Sequence, residues 1–106
     1  MNNFSDMLSK AKEMQEKMKK VQDKIKSLEV EGLAGGNLVK VVISGDYEIK
    51  SITISEDAKK EKIEVILDLI IAAFNNAKNN LKKRSSEELS QITGGINLPF
   101  DFKVPF

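Results

Sequence analysis

The chain contains no cysteine and no histidine. Without thiols there is no disulfide, no thiolate metal site and no cysteine nucleophile. Without imidazole, the commonest metal ligand and the commonest general base near neutral pH are missing as well. Charge of one sign is not in excess: 17 Lys and Arg stand against 16 Asp and Glu, a net charge of +1. Total charge therefore points to neither nucleic acid nor an acidic partner, and any such argument must come from how the charges are distributed. The longest apolar stretch, Ile63 to Phe74, contains Glu64 and Asp68 and is too short to span a bilayer. The N-terminus has no basic start followed by an apolar run, so no signal peptide is expected, and the chain reads as soluble and cytoplasmic. A length of 106 residues fits one domain. Such a domain buries only about 60–70% of its unfolded surface, so dimerisation would add useful core.

What is present begins with a heptad seam. Phe4, Met7, Ala11, Met14, Met18, Val21, Ile25 and Leu28 alternate in steps of three and four. The pattern lasts about three and a half heptads, near the lower limit for paired helices. A first helix is expected over about 5–27, with Ser5-Asp6 supplying the N-cap and early negative charge. It would be roughly 35 Å long and should project beyond the domain body. Three Met and an Ala in the seam predict adaptable helix pairing rather than a long parallel zipper.

A sheet is expected over about 28–54. Leu28-Glu29-Val30-Glu31 switches to period two, and Gly32, Gly35, Gly36 and Asn37 read as a loop. Leu38 to Ile43 is strand by its β-branched content. Ser44-Gly45-Asp46-Tyr47 reads as a hairpin turn, Gly45-Asp46 suiting a two-residue II′ connection. Glu48 to Ile54 returns, with an apolar parity slip that predicts a bulge near Lys50-Ser51. The second helix is expected over about 56–91. Ser85-Ser86-Glu87-Glu88 fits a capping box, but nothing interrupts the helix there and continuation is expected. Ile63, Ile66, Leu67, Ile70, Phe74, Ala77 and Leu81 form its stripe, widened nearly all round by Val65, Leu69, Ile71, Ala72 and Ala73. A helix that apolar needs cover from its own sheet and from a second subunit. Met14, Met18, Leu67, Ile70, Ile71 and Phe74 are the candidate packing and dimer residues. Gly94-Gly95 ends the helix, and an extended apolar tail occupies 94–106.

Little in the chain could run a reaction. Glu61, Glu64 and Asp68 share a helix face, but no further ligands join them, and a solvated face accounts for them. The glycine clusters lack the Lys-Ser/Thr of a phosphate loop. No catalytic residue, metal, cofactor or small-molecule substrate is expected. The lysines are more informative. Lys10, Lys17 and Lys24 recur every seven residues, as do Lys12, Lys19 and Lys26, flanking the seam on both sides with Lys20 between the rows. Glu13, Glu16 and Asp23 interleave, so an ordinary solvated face with Glu13–Lys17 and Glu16–Lys20 pairs competes with a phosphate-binding reading. On the second helix, Lys78, Lys82, Lys83 and Arg84 fall in a stretch without acids, beside Asn75, Asn76, Asn79 and Asn80. Cations with amides suit phosphate contacts, although cations also complement a helix C-terminus. No aromatic residue lies in either basic region, which argues against base stacking on single strands.

The layout resembles the YbaB/EbfC family of bacterial nucleoid-associated DNA-binding proteins. The resemblance rests on the order and spacing of Met14-Gln15-Glu16-Lys17-Met18, Leu28-Glu29-Val30-Glu31-Gly32 and Gly36-Asn37-Leu38-Val39-Lys40-Val41. It continues through Ala72-Ala73-Phe74-Asn75-Asn76-Ala77, Gly94-Gly95, Leu98-Pro99 and Pro105-Phe106. It implies an α+β, α-β-β-β-α subunit with a three-stranded antiparallel sheet and two long helices. It further implies a tweezer-like homodimer, double-stranded DNA as partner, and a nucleoid role in chromosome organisation and gene regulation rather than catalysis. No membrane partner is implied. Charge alone selects the candidate DNA contacts Lys10, Lys12, Lys17, Lys19, Lys20, Lys78, Lys82, Lys83 and Arg84. The rival reading is a protein-interaction module that uses the Met-rich seam or the Phe-rich tail.

Overall fold

The computed structural model describes residues 3–92. They form α1 (Asn3–Lys26), β1 (Glu29–Ala34), β2 (Val39–Ser44), β3 (Ile49–Ile54), α2 (Glu56–Lys59) and α3 (Ile63–Ile92). The strands make an antiparallel meander in the order β1-β2-β3, giving the expected α+β subunit. The anticipated stop at Gly94-Gly95 and the tail lie outside the described residues.

One face of the sheet is apolar. Val30, Gly32 and Ala34 alternate with exposed Glu29, Glu31 and Leu33 along β1, and Val39, Val41 and Ile43 point the same way from β2. They join Ala58, Ala73, Ala77 and Leu81 in the main core. Gly32 reads from sequence as the start of a loop but lies inside β1, because α3 crosses there. A methyl group on Gly32 would sit 2.1 Å from the Ala73 carbonyl oxygen and 2.2 Å from the Ala77 nitrogen. Only glycine opposite alanine lets the two backbones come this close.

The β2–β3 hairpin differs from the expected II′ turn. Gly45 has no positive φ; the left-handed residue is Tyr47, at φ 64°. The Tyr47 N–H donates to the Ser44 carbonyl (2.9 Å), and the Ser44 N–H donates to the Glu48 carbonyl (2.9 Å). This is a three-residue hairpin loop closed by a left-handed position. The Ser44 hydroxyl donates to the Asp46 carboxylate, and that bond holds the Asp46 carboxyl below the usual aspartate range. Gly45 serves another purpose. A methyl group there would overlap the Ile25 carbonyl, and its own N–H donates to the Leu28 carbonyl (3.0 Å). The end of α1 therefore rests directly on the hairpin. Farther along, Val42 faces Ser51 and Ile43 faces Ile49, so Lys50 is the extra residue of a β-bulge, where the parity slip places it.

The expected second helix is divided. Ser55 caps α2, its hydroxyl accepting from the Ala58 N–H (3.1 Å). The chain then turns through residues 60–62, and the Lys62 carbonyl accepts the first bonds of α3 from Val65 and Ile66. No Gly or Pro marks this break. It is a tertiary demand: Ala58, four residues after the end of β3, is held in the core, whereas α3 must lie over β1 and β2. Beyond the break the helix runs uninterrupted through Ser85-Ser86 to Ile92, as expected.

The last two turns of α1 pack against α3. Val21, Ile25 and Leu89 form a second small core, with Met18 and Leu28 at its margins. Lys24 Nζ lies 2.7 Å from Glu88 Oε2, and Arg84 approaches the other oxygen at 3.6 Å. The bond from Lys24 is the main reason the Glu88 carboxyl lies below the ordinary glutamate range. The two helices run antiparallel, and residues 3–17 of α1 are all exposed beyond the contact. The particle is accordingly long, with extents of 72 × 23 × 18 Å.

The two close approaches and the Glu88 pairing make stability sensitive to single substitutions. Gly32→Ala should cost at least about 3 kcal/mol, because rigid backbone must move. Gly36→Ala should cost only about 1 kcal/mol, since Gly36 has positive φ but open space around its Cα; urea titrations measure both. Because Glu88 ionises more readily when folded, its pairing contributes fully above the ordinary glutamate value of 4.5 and is lost as pH falls through the lower folded value. Glu88→Gln should flatten that acid limb of the stability–pH curve and increase amide exchange in α1.

Candidate nucleic-acid interface

The projecting part of α1 carries the first group of candidate contacts. Lys10, Lys12, Lys17, Lys19 and Lys20 are all exposed. None of them forms an ion pair among the described residues, and the Glu13–Lys17 and Glu16–Lys20 pairs do not form. Lys24, in the same row as Lys10 and Lys17, is engaged by Glu88.

The second group divides. Lys82 and Lys83 are exposed. Lys78 is half-buried, with its ammonium 5.9 Å from the centre of the Phe74 ring. Arg84 is turned toward acids that the sequence places one turn later, Glu87 at 4.0 Å and Glu88 at 3.6 Å. Its charge is largely answered within the subunit. The amides also divide. Asn76 Oδ1 accepts from the Leu33 N–H (2.9 Å), and Asn80 Nδ2 donates to the Glu31 carbonyl (2.8 Å). These two side chains satisfy the outer edge of β1, which leaves Asn75 and Asn79 exposed. Sequence reading missed this edge role; the one available signal is the i,i+4 spacing of Asn76 and Asn80 beside a strand that needs edge partners.

The candidate packing residues fall into two places. Met18 is half-buried against the α1–α3 core, while Met14 is 46% exposed on the arm. Ile70 and Phe74 pack at the margin of the main core. Leu67 and Ile71 remain 52% and 59% exposed on α3. On the sheet, Ile52 pairs with Val41 and Ile49 with Ile43, so both share the core-facing side. Both are nonetheless exposed, because α3 covers β1 and β2 but not β3. The outer edge of β3 has no strand partner among the described residues. Leu67, Ile71, Phe74, Lys78 and Lys82 succeed one another at spacings of three and four, so this α3 row passes from apolar to basic.

No group of three or more acidic residues among those described could hold a metal ion. No described helix is long and apolar enough to cross a membrane.

Comparison with known proteins gives a consistent result. A model of the YbaB/EbfC DNA-binding family matches residues 1–96. A nucleoid-associated protein of Rhodospirillum centenum is 42% identical, over the whole of both chains. One from Agrobacterium fabrum is 40% identical, also over the whole of both. A crystal structure of an uncharacterized protein from Helicobacter pylori has the same fold, with a TM-score of 0.67 at 18% identity over 86% of this chain and 97% of that one. The chain belongs to the YbaB/EbfC DNA-binding family.

Proposed function

We propose that this protein is a non-enzymatic, nucleoid-associated homodimer that binds double-stranded DNA through its helical arms and contributes to chromosome organisation and gene regulation. The observation that carries this reading is the projecting arm of α1, with Lys10, Lys12, Lys17, Lys19 and Lys20 exposed and without ion partners among the described residues. Lysines held this way meet phosphates as point charges and fix position without reading bases. Lys82 and Lys83 add to the basic surface, with Lys78 and Arg84 secondary because each already has a partner. Sequence preference would arise mainly from duplex shape. The names of the relatives, which place them with the nucleoid, support the same setting.

The dimer reading is supported by the exposed Ile49 and Ile52 of β3 together with Leu67 and Ile71. Burying these half-exposed side chains against a second copy is worth about 1 kcal/mol each. A two-fold arrangement doubles the arms, so a nearly neutral chain presents two sets of lysines. The rival reading, capture of another protein by the arm, is favoured by the exposure of Met7 and Met14.

Anisotropy of a labelled duplex, titrated at several salt concentrations, tests the DNA reading. We expect binding that weakens steeply with salt, and a Lys17→Glu, Lys19→Glu, Lys20→Glu variant that loses about 0.9 units of log–log slope per phosphate contact removed. Absence of binding at low salt by an intact dimer would transfer the case to protein capture. Separately, Ile71→Glu should shift the protein to monomer in sedimentation; an unchanged dimer would place the interface elsewhere.

A further inference from the structure

The apolar stripe of α1 continues well past the part that α3 covers. Phe4 and Met7 are 71% and 67% exposed, and Leu8 and Met14 are also exposed. With Ala11 they extend the line of Met18, Val21 and Ile25 at steps of three and four. α3 covers that line through Leu89 and ends at Ile92. Since the helices are antiparallel, the chain leaves α3 about where the stripe loses its cover.

The C-terminal sequence suits that stripe. Residues 93–106 make fourteen positions, and from Ile96 onward the apolar residues alternate strictly: Ile96, Leu98, Phe100, Phe102, Val104 and Phe106. In an extended chain such alternation places all six on one side. Pro99 and Pro105 fall between them and oppose a helix. Reach is ample. The uncovered stripe from Met14 to Phe4 is about 15 Å long, while eleven extended residues span about 35 Å. The chemistry also matches, since methionine thioethers make favourable contacts with phenylalanine rings.

We propose that residues 96–106 dock along the exposed stripe of α1 of their own chain, their alternating apolar side chains covering Met14, Ala11, Met7 and Phe4. The docked tail adds a layer to the arm and leaves the two lysine rows free on its flanks. Docking of this kind is compatible with phosphate binding by the lysines and competes with capture of another protein on Met7 and Met14.

The chain lacks tryptophan, so Phe100→Trp in the full-length protein gives a single reporter. The expected result is a blue-shifted emission with several-fold weaker acrylamide quenching than a free tail peptide. Adding Met7→Gln and Met14→Gln, which alter only exposed side chains, should return the emission to that of a water-exposed indole while circular dichroism stays unchanged. Three results would overturn the proposal. One is an exposed indole from the outset. Another is a blue emission that survives the α1 substitutions but is lost in Ile52→Gln, Leu67→Gln, which would put the tail on the uncovered sheet. The third is a blue emission lost on dilution, which would make the occupant a second copy's tail.

Discussion

The approach of α3 to the backbone of β1 at Gly32 is the constraint on which the rest of the architecture depends. With no side chain at Gly32 and only methyl groups at Ala73 and Ala77, the helix settles almost in contact with the strand. That closeness brings Asn76 and Asn80 within reach of the outer edge of β1, where they take up the Leu33 N–H and the Glu31 carbonyl. One donor and one acceptor of that edge are thereby satisfied. The same placement commits α3 to β1 and β2, and Ile49 and Ile52 on the apolar side of β3 are left without cover.

The line taken by α3 also determines what happens to α1. The far half of α3 runs beyond the sheet and meets the end of α1 through Leu89, Glu88 and Arg84. Gly45 fixes that end of α1 from below, in the same close-contact manner as Gly32. A long helix held firmly at one end becomes a lever, and 24 residues give it considerable reach. Charge is divided along the same line. Near the anchor, Lys24 and Arg84 are answered by Glu88, whereas the lysines on the arm are left to solvent. The arm sets Lys10, Lys12, Lys17, Lys19 and Lys20 against Asp6, Glu13 and Glu16, so a chain with almost no net charge still carries a locally basic surface.

Much of this was legible from local chemistry. The parity slip between Ile49 and Ile52 locates the bulge at Lys50, because side-chain alternation is rigid in a strand. A helix start near residue 56 was legible too, and the structure adds the cap, the Ser55 hydroxyl accepting from the Ala58 N–H. The break at residues 60–62 was not legible, because those residues favour helix and only the distance between β3 and β1 requires the turn. Nor was the role of Gly45: a glycine in a turn suggests positive φ, but this one is needed for its missing side chain, and the left-handed position falls to Tyr47. Arg84 read as unopposed because its partners lie one turn later, where helical spacing returns them to its side.

By itself the sequence determined the two long helices and the three strands, their order, and which face of the first helix is apolar, since periodicity acts over a few residues. It also determined the absence of thiol and imidazole chemistry. Only the tertiary structure decided which apolar residues are covered, which amides serve the sheet edge, and which cations keep their charge free. Those outcomes depend on how closely backbones approach across dozens of residues of chain, from Gly32 to Ala73 and from Lys24 to Glu88.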